Sequence, residues 1–229
     1  MARGRLIAML VAAALAAAAA LPATAGAERP VVLLIHGGAW LFGDASDMRQ
    51  AAVIAREEGF RPVSVDYPLK YPVRANLYTQ RVARRWASRG RTVYAYGESV
   101  GGTMAEVLAA RCLVEAAVAN SAPPDLIRWP EPDQPSVFAR EPLRPYSPFH
   151  LRQCNPVLAM HSPDDGLVDF RFAREYAQRY EPVTLRRISG AHVGDGVTRQ
   201  RRARAGLRWL ALQAARFHPV ATGVSATLR

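Results

Sequence analysis

The sequence contains little lysine and little cysteine, and its apolar segments are short. Lys70 is the only lysine among 30 basic residues, so arginine carries almost all of the positive charge. Of the only two cysteines, Cys112 and Cys154, neither lies in a context that suggests a nucleophile. After Leu21 no stretch is long and apolar enough to span a membrane, which excludes a further membrane-spanning helix.

The positive charge is scattered over several segments and amounts to a net +11. Such a balance is compatible with nucleic acid, anionic lipid or an acidic substrate as a partner. The densest basic group opens the last predicted helix and consists of Arg199, Arg201, Arg202, Arg204 and Arg208. We interpret this group as a solvated helix face and predict no nucleic-acid partner. A weak attraction to an anionic cell surface is the alternative.

The first 27 residues have the pattern of a Sec-type signal peptide. Two arginines precede an uncharged, alanine-rich segment over 6–21, and small residues with A-x-A spacing follow. Cleavage is expected after Ala27 or Ala25. An uncleaved membrane anchor is the alternative, although the apolar segment is short for one. The mature protein is therefore expected to be secreted or to lie in the cell envelope, without stable membrane insertion.

Short apolar runs alternate with segments of helical periodicity along most of the chain. This alternation predicts one α/β domain over residues 28–217, with helices on both faces of a parallel sheet. Residues 218–229 have no periodicity and are expected to form a flexible tail. The predicted strands are 30–35, 61–67, 92–96, 113–120, 156–160 and 183–188. The predicted helices are 47–58, 77–88, a segment ending at 111, 170–180 and 197–217.

Both cysteines lie just before predicted strands, Cys112 before 113–120 and Cys154 before 156–160. If those strands are parallel neighbours, the cysteines lie at the same edge of the sheet, within bridging distance. In an oxidising compartment an even number of cysteines favours pairing. We therefore predict a Cys112–Cys154 disulfide, with two unpaired thiols as the alternative.

Residues 121–155 interrupt the alternation of strands and helices. The segment holds eight prolines and several aromatic residues: Trp129, Phe138, Tyr146 and Phe149. A structureless linker rarely holds so many large side chains. We expect either a lid over a functional site or a packed excursion on the surface of the domain.

Residues 97–101, GESVG, fit the G-x-S-x-G pattern of a nucleophile elbow. A β-rich run precedes the motif and an alanine-rich helical run follows it. The glycines are required because a Cβ on either side of the sharp turn would collide with the neighbouring backbone. The motif predicts Ser99 as a nucleophile at a helix N-terminus, where the helix dipole stabilises developing negative charge. An ordinary tight turn is the alternative.

The sequence HGGAW at 36–40 follows the first predicted strand. Its glycines leave backbone N–H groups free to bind a substrate oxygen, as in an oxyanion hole. We predict donors from the N–H of Val100 and from the loop residues Gly37, Gly38 and Ala39. His36 is interpreted as a structural loop residue rather than as a base.

A serine nucleophile requires a base, and His192 is the histidine in the appropriate position. It lies in a glycine-flanked loop between the last predicted strand and the last helix, as the chain order Ser, Asp, His requires. The segment HSPDDGLV at 161–168 offers Asp164 and Asp165 as the acid that orients the base, and Asp169 and Asp195 are further candidates. A metal site from this pair with His161 and His192 is conceivable, but the spacing is not that of zinc ligands.

Together these motifs resemble the α/β-hydrolase superfamily, and more narrowly its hormone-sensitive-lipase-like and related bacterial carboxylesterases, including feruloyl and acetyl-xylan esterases. HGGAW is similar to the oxyanion loop of the family, and GESVGG at 97–102 is similar to its elbow. HSPDDGLV resembles the family turn H-G-x-x-D-x-x-V, which aligns Asp165 rather than Asp164 with the triad acid. SGAHVGDG at 189–196 resembles the loop that carries the family histidine.

The resemblance also covers VDYPL at 65–69 and SPFHL at 147–151. Ser162 departs from the glycine common in the family turn, and Pro68 replaces the usual arginine. The predicted mature chain begins at what would be the third strand of the family. The resemblance therefore implies a three-layer α/β/α sandwich with a reduced sheet of about six mostly parallel strands, and a family pocket built from the N-terminal segment cannot be carried over.

The combined expectation is a secreted serine carboxylic-ester hydrolase that acts on short-chain acyl esters through an acyl-enzyme, without a cofactor or metal. Its expected partner is a small-molecule ester. Amidase, formamidase, peptidase and acyltransferase activities use the same triad and are alternatives, as is an exported binding protein on an inactive scaffold. The candidate pocket residues, each equally compatible with core packing, are Trp40, Leu69, Trp129 and Phe138.

Overall fold

The central strand β1 (Val31–Ile35) consists of five apolar residues, and all five are fully buried. A strand of this composition must be covered on both faces, as in the middle of a parallel α/β sheet. The structure is a computed structural model that describes residues 28–129 and 141–217. The predicted signal peptide, residues 1–27, and the predicted tail, residues 218–229, lie outside the described residues.

Five further strands complete the sheet: β2 (Arg61–Val65), β3 (Val93–Glu98), β4 (Ala117–Asn120), β5 (Val157–His161) and β6 (Val183–Arg187). Their order is β2-β1-β3-β4-β5-β6, and every neighbouring pair is parallel. The six-stranded sheet is therefore confirmed. Strand order reverses between β1 and β3, and crevices for ligands form outside the carboxyl ends of strands at such a reversal.

Five helices cover the two faces of the sheet: α1 (Arg49–Glu57), α2 (Pro72–Ala87), α3 (Val100–Ala110), α4 (Phe170–Arg179) and α5 (Gly196–Phe217). Apolar residues of α1 and α5 pack with Val32 and Leu34 on one face. Residues of α2, α3 and α4 pack with Leu33 on the other face. Because successive strand residues point to opposite faces, one strand contributes to both cores. None of the described helices has the length and apolar character needed to cross a membrane.

Helix α2 begins at Pro72, five residues earlier than the periodicity predicted. Proline favours the first position of a helix because its fixed φ suits the helix and its missing N–H has no partner there anyway. Strand β4 begins later than predicted, at Ala117, since the preceding residues form a turn in which Cys112 has a positive φ of 55°.

The described ends of segment 121–155 are packed against the domain. Leu126 and Leu143 are buried in the core, and the Leu126 N–H donates to the Ser147 hydroxyl at 3.0 Å. Two short 3-10 turns, Arg144–Tyr146 and Pro148–His150, follow within the segment. These ends have the packing expected of a surface excursion. Residues 130–140, the middle of this segment, lie outside the described residues, so the alternative of a lid stays untested.

A disulfide joins Cys112 and Cys154, with the two Cα atoms 5.5 Å apart. Cys112 lies between α3 and β4, and Cys154 lies just before β5. Because β4 and β5 are parallel neighbours, the two residues meet at the amino-terminal edge of the sheet. The structure thus contains the cross-link that the cysteine positions predicted.

Replacing both cysteines with serine is expected to lower the free energy of unfolding. The disulfide closes a loop with a sequence separation of 42, and chain entropy assigns about 4 kcal/mol to a cross-link of this length. Urea unfolding of wild type and the double variant measures the difference. A reducing agent should destabilise the wild type only; detection of two free thiols in the denatured, unreduced wild type would contradict the pairing.

Candidate active site

The Ser99 backbone is strained between β3 and α3, with φ 52° and ψ −128°. A non-glycine residue adopts a positive φ at a cost, and it persists only where the surrounding structure enforces it. Here the enforcing contact is close backbone packing. A Cβ at Gly97 would collide with the backbone of Gly101, and a Cβ at Gly101 would collide with the carbonyl oxygen of Ile35. The two motif glycines therefore allow the sharp turn that the sequence predicted.

The Ser99 hydroxyl lies 2.9 Å from Nε2 of His192. His192 comes from the loop between β6 and α5. Two side chains at the end of β4 bind the backbone of the next loop residue, Val193. The Val193 N–H donates to the Ser121 hydroxyl at 3.1 Å, and the Asn120 side-chain amide donates to the Val193 carbonyl at 3.3 Å. Ser121 and Asn120 are fully buried at the end of β4, so they connect the loop to the core.

Asp165 lies behind His192, with its carboxylate oxygens 2.9 Å and 3.0 Å from Nδ1. The carboxylate is fully buried and also accepts the N–H groups of Val168 and Leu167. Burial by itself raises the pKa of Asp165, but the hydrogen bonds from His192 and from these two N–H groups outweigh it, so its pKa lies below the usual value. Asp165 is thus held as an anion that accepts a hydrogen from His192.

Two other titratable residues considered from the sequence lie beside Asp165 and the histidine loop: Nε2 of His161 is 3.4 Å from the Asp165 carboxylate, and Asp164 reaches the loop backbone. Asp164 is exposed, and its carboxylate is 3.4 Å from the Gly190 N–H. His161 is buried, and its Nε2 is 2.8 Å from the Val168 carbonyl oxygen, as expected of a turn residue. Burial lowers the pKa of His161. No metal-binding group of three or more such side chains occurs in the described part of the chain.

His36 is buried beneath the loop that follows β1 and does not contact Ser99. Its ring stacks on Tyr67 at 4.1 Å between centroids, and its Nδ1 is 2.7 Å from the Gly37 carbonyl oxygen. The Tyr67 hydroxyl also donates to the Gly37 carbonyl, at 2.9 Å. These contacts are structural ones that hold the loop backbone, as interpreted from the sequence.

The predicted oxyanion donors lie around Ser99. Gly37 is so close that a Cβ built on it would be 3.2 Å from the Ser99 Cβ. Gly38 and Ala39 have positive φ values of 102° and 51°, and within the described residues their N–H groups have no acceptor. The Val100 N–H is the first of α3 and has no acceptor within the helix. The arrangement offers N–H groups from both sides of the serine.

A cleft of about 390 Å³ contains Ser99 and His192. Trp129 lines it, as predicted, together with two residues that the sequence did not suggest, Leu167 and Phe42, of which Phe42 is 65% exposed. Besides Ser99 and His192, the polar lining residues are Asp47, Glu98 and Arg199.

Two of the predicted pocket residues are corrected by the structure. Trp40 is fully buried in the core cluster, and Leu69 packs against the same cluster. Neither lines the cleft, because the loop after β1 turns Trp40 inward, where its large apolar ring gains most from burial. Phe138 lies outside the described residues.

Arg202 of α5 is a site residue that the sequence analysis missed. It is only 4% exposed, and its guanidinium donates to the carbonyl oxygens of Ser189 and Ala191 at 2.6 Å and 3.1 Å. No described carboxylate forms an ion pair with it. Burial lowers the pKa of Arg202, and the nearby negative charge of Asp165 acts in the opposite direction. Arg202 therefore holds the residues just before His192, whereas Ser121 binds the residue just after it.

Arg199, one helical turn earlier, contacts the elbow itself. Its Nε donates to the carboxylate of Glu98 at 2.8 Å, and its Nη2 donates to the Asp47 carbonyl at 3.1 Å. Glu98 is only 2% exposed, and it also accepts a hydrogen bond from the Tyr96 hydroxyl at 3.2 Å. Arg199 thus supplies the counter-charge of a buried acid next to Ser99 and connects the elbow to the loop after β1.

The interpretation of the arginine-rich helix as a wholly solvated face is therefore wrong for two of its members. Arg199 and Arg202 are three residues apart, a spacing that places both on one face of α5. That face points to the site. The sequence shows that Arg199 and Arg202 share a helix face, but it does not show that this face is buried. Arg201, Arg204 and Arg208 are exposed, as predicted.

Replacing Asp165 with asparagine is expected to destabilise the fold at neutral pH. The pKa of Asp165 is lower in the folded protein than in the unfolded chain, so the carboxylate stabilises the fold above a pH of about 4 and loses this effect as pH falls through its folded pKa. The expected loss at pH 7 is about 2 kcal/mol, shrinking below pH 4. Urea unfolding across pH measures it, with the exposed neighbour Asp164→Asn as control. An equal loss at pH 3 and pH 7 would contradict the lowered pKa.

Solved structures that superpose on this chain include an esterase and a bifunctional hydrolase. An esterase from Thermogutta terrifontis superposes with a TM-score of 0.70 at 17% identity, over 86% of this chain and 85% of that chain. An acetyl ester-xyloside bifunctional hydrolase from Caldicellulosiruptor lactoaceticus superposes with a TM-score of 0.68 at 14% identity, over 82% and 85% of the two chains.

Sequence comparison gives a shorter match. The chain is 41% identical over 99 residues to Esterase LipI of Mycobacterium tuberculosis. The aligned region covers 37% of this chain and 30% of that protein. The match therefore spans less than a third of the length of that relative. No protein-family model matches the chain. The parallel sheet, the elbow between β3 and α3 and the structural neighbours agree with the motif resemblance, and this chain has the α/β-hydrolase fold.

Proposed function

We propose that the protein is a serine hydrolase that cleaves carboxylic esters. The observation that carries this proposal is the contact of the Ser99 hydroxyl with His192 at 2.9 Å, with Asp165 on the other ring nitrogen of the histidine. A serine hydroxyl is a weak nucleophile, and a base within hydrogen-bonding distance activates it. The base in turn requires an acceptor on Nδ1 that keeps Nε2 free for the serine proton.

The proposed reaction has two halves. Ser99 attacks the ester carbonyl while His192 takes its proton, and the N–H groups of Val100 and of Gly38 or Ala39 bind the oxyanion. His192 then protonates the leaving alcohol, which departs and leaves an acyl group on Ser99. A water molecule activated by His192 attacks the acyl carbonyl, and proton return to Ser99 releases the acid. Asp165 remains an anion throughout and stabilises the imidazolium.

The size and lining of the cleft support esters with short acyl chains as substrates. Its volume of about 390 Å³ is modest, and its apolar lining near the serine comes from Trp129, Leu167 and Phe42. The similar Thermogutta esterase has been solved with propionate and with butyrate bound. These observations support acids of a few carbons as the acyl group. The proposal places the enzyme outside the cytoplasm, which the signal-like N-terminal sequence and the disulfide support.

Replacing Ser99 with alanine is expected to abolish hydrolysis of p-nitrophenyl acetate, with a loss in kcat of about 10⁴-fold or more. Asp165→Asn should lose about 10³-fold, because the histidine is no longer held in the required tautomer. Asp164→Asn is the matched control and should retain nearly full activity. Spectrophotometric assays of the three variants provide the comparison.

A fluorophosphonate probe should label the wild type and leave Ser99→Ala unlabelled. Labelling that persists in the variant would show that another serine is the nucleophile. A wild type that is neither labelled nor active on esters would show an inactive scaffold. Faster turnover of a matched anilide than of the ester would favour an amidase.

Replacing Arg202 with glutamine is expected to lower kcat by about 10- to 100-fold with a smaller change in KM. The guanidinium holds the carbonyls of Ser189 and Ala191, and a displaced His192 would lose its alignment with Ser99. Arg202→Lys keeps the charge and one donor and should recover part of kcat. Arg201→Gln, an exposed neighbour on the same helix, is the control. A parallel loss of stability with unchanged kcat would show that Arg202 is only structural.

A further inference from the structure

The chain contains a long acid-free segment that the proposed reaction does not use. From Tyr67 to Gly97 there is no aspartate or glutamate, while seven residues are basic. Helix α2 accounts for most of this segment. Its acid-free sequence predicts an unbalanced positive charge wherever these side chains reach the surface.

The basic side chains of this segment reach the surface along one side of α2. We define the α2 arginine face by its five exposed arginines: Arg74, Arg81, Arg84, Arg85 and Arg89. Within the described residues, none of the five forms an ion pair with a carboxylate. The carboxylate that contacts α2, Glu141, accepts the N–H of Val73 at 2.6 Å. The positive charge of the face is thus not balanced by neighbouring acids of the described chain.

Three arginines of α5 are used differently, although the sequence shows this helix as the denser cluster. Arg199 is paired with Glu98, Arg202 is buried against the His192 loop, and Arg204 is paired with Glu57. Within the described residues, three exposed arginines of α5 form no ion pair with a carboxylate, Arg201, Arg208 and Arg216, against five on the α2 arginine face. The more unbalanced basic surface therefore lies on α2.

Aromatic rings alternate with the arginines along the α2 arginine face. Three pairs with i, i+3 spacing place a guanidinium over a ring: Arg74 over Tyr71 at 4.5 Å, Arg81 over Tyr78 at 5.7 Å, and Arg89 over Trp86 at 5.2 Å. Tyr71 is 46% exposed, and Leu77, between the arginines, is 38% exposed. The surface thus combines unpaired positive charge with partly exposed amphipathic rings.

We propose that the α2 arginine face binds the surface of an anionic phospholipid membrane, with the protein lying on the bilayer and not inserted. Guanidinium groups bind phosphate oxygens through several N–H donors. Tyrosine and tryptophan favour the depth of lipid headgroups, where one end of the ring is apolar and the other is hydrated. A soluble polyanion would use the arginines but would gain little from Leu77 and the ring edges. The binding is electrostatic and reversible, and it weakens as salt rises.

Co-sedimentation with vesicles tests this proposal. The purified full-length protein is mixed with vesicles of phosphatidylcholine alone or of phosphatidylcholine and phosphatidylglycerol in a 3:1 ratio. The triple variant Arg74→Gln, Arg81→Gln, Arg85→Gln is expected to lose about 100-fold in partitioning to the anionic vesicles, since each surface arginine contributes roughly a fivefold factor. The matched control, Arg201→Gln, Arg204→Gln, Arg208→Gln, removes the same charge from α5 and should lose less than about fivefold.

Three results would overturn the proposal. Equal losses in the two triple variants would show that net charge alone is responsible. Equal binding to neutral and anionic vesicles would exclude headgroup charge as the determinant. Release of the protein from anionic vesicles by a low concentration of a soluble sulfated polysaccharide, with tighter binding to that polymer, would identify a polyanion as the occupant. Ester hydrolysis in solution should be unchanged in both variants, so the membrane proposal stands or fails independently of the proposed activity.

Discussion

The close packing of the N-terminus of α3 against β1 is the constraint on which the site depends. Gly101 lies so near the carbonyl oxygen of Ile35 that no side chain fits between them, and Gly97 is equally close to Gly101. This contact leaves Ser99 in a left-handed backbone conformation that a free peptide would avoid. The buried strands on both sides make the contact rigid. The serine is therefore presented at the carboxyl edge of the sheet, beside the first N–H groups of α3.

Buried charge is the second element of the site, and each charge has a specific compensation. The Asp165 carboxylate accepts hydrogen bonds from His192 and from backbone N–H groups of its own turn. Glu98 is compensated by Arg199, and Arg202 is compensated by two backbone carbonyls. Unpaired, each of these groups would cost several kcal/mol. The same contacts connect the elbow, the acid turn and the histidine loop, so the charges that stabilise the site also align it.

Arginine has two separate uses in this chain, and its chemistry explains both. In α5 the several N–H donors of a buried guanidinium bind a carboxylate or two carbonyl oxygens. A lysine ammonium lacks this planar arrangement of donors and would bind them less well. On α2 the same groups lie over aromatic rings and face solvent. The chain, in which Lys70 is the only lysine, therefore uses arginine both for buried hydrogen bonds in the site and for an exposed basic surface.

The sequence by itself determined the order of strands and helices, the elbow, the disulfide partners and the candidate serine and histidine, because each depends on local patterns or on chain order within a parallel sheet. The choice of Asp165 over Asp164 came from the resemblance to the family turn. The lengths of α2 and β4 were misjudged, since tertiary contacts and a proline at the helix start decide where an element ends. Trp40 was misassigned to the pocket because composition cannot show which way a loop turns a ring. The roles of Arg199 and Arg202 were decided by tertiary structure alone. Their burial depends on what α5 packs against, and a helix read in isolation presents every arginine equally to water.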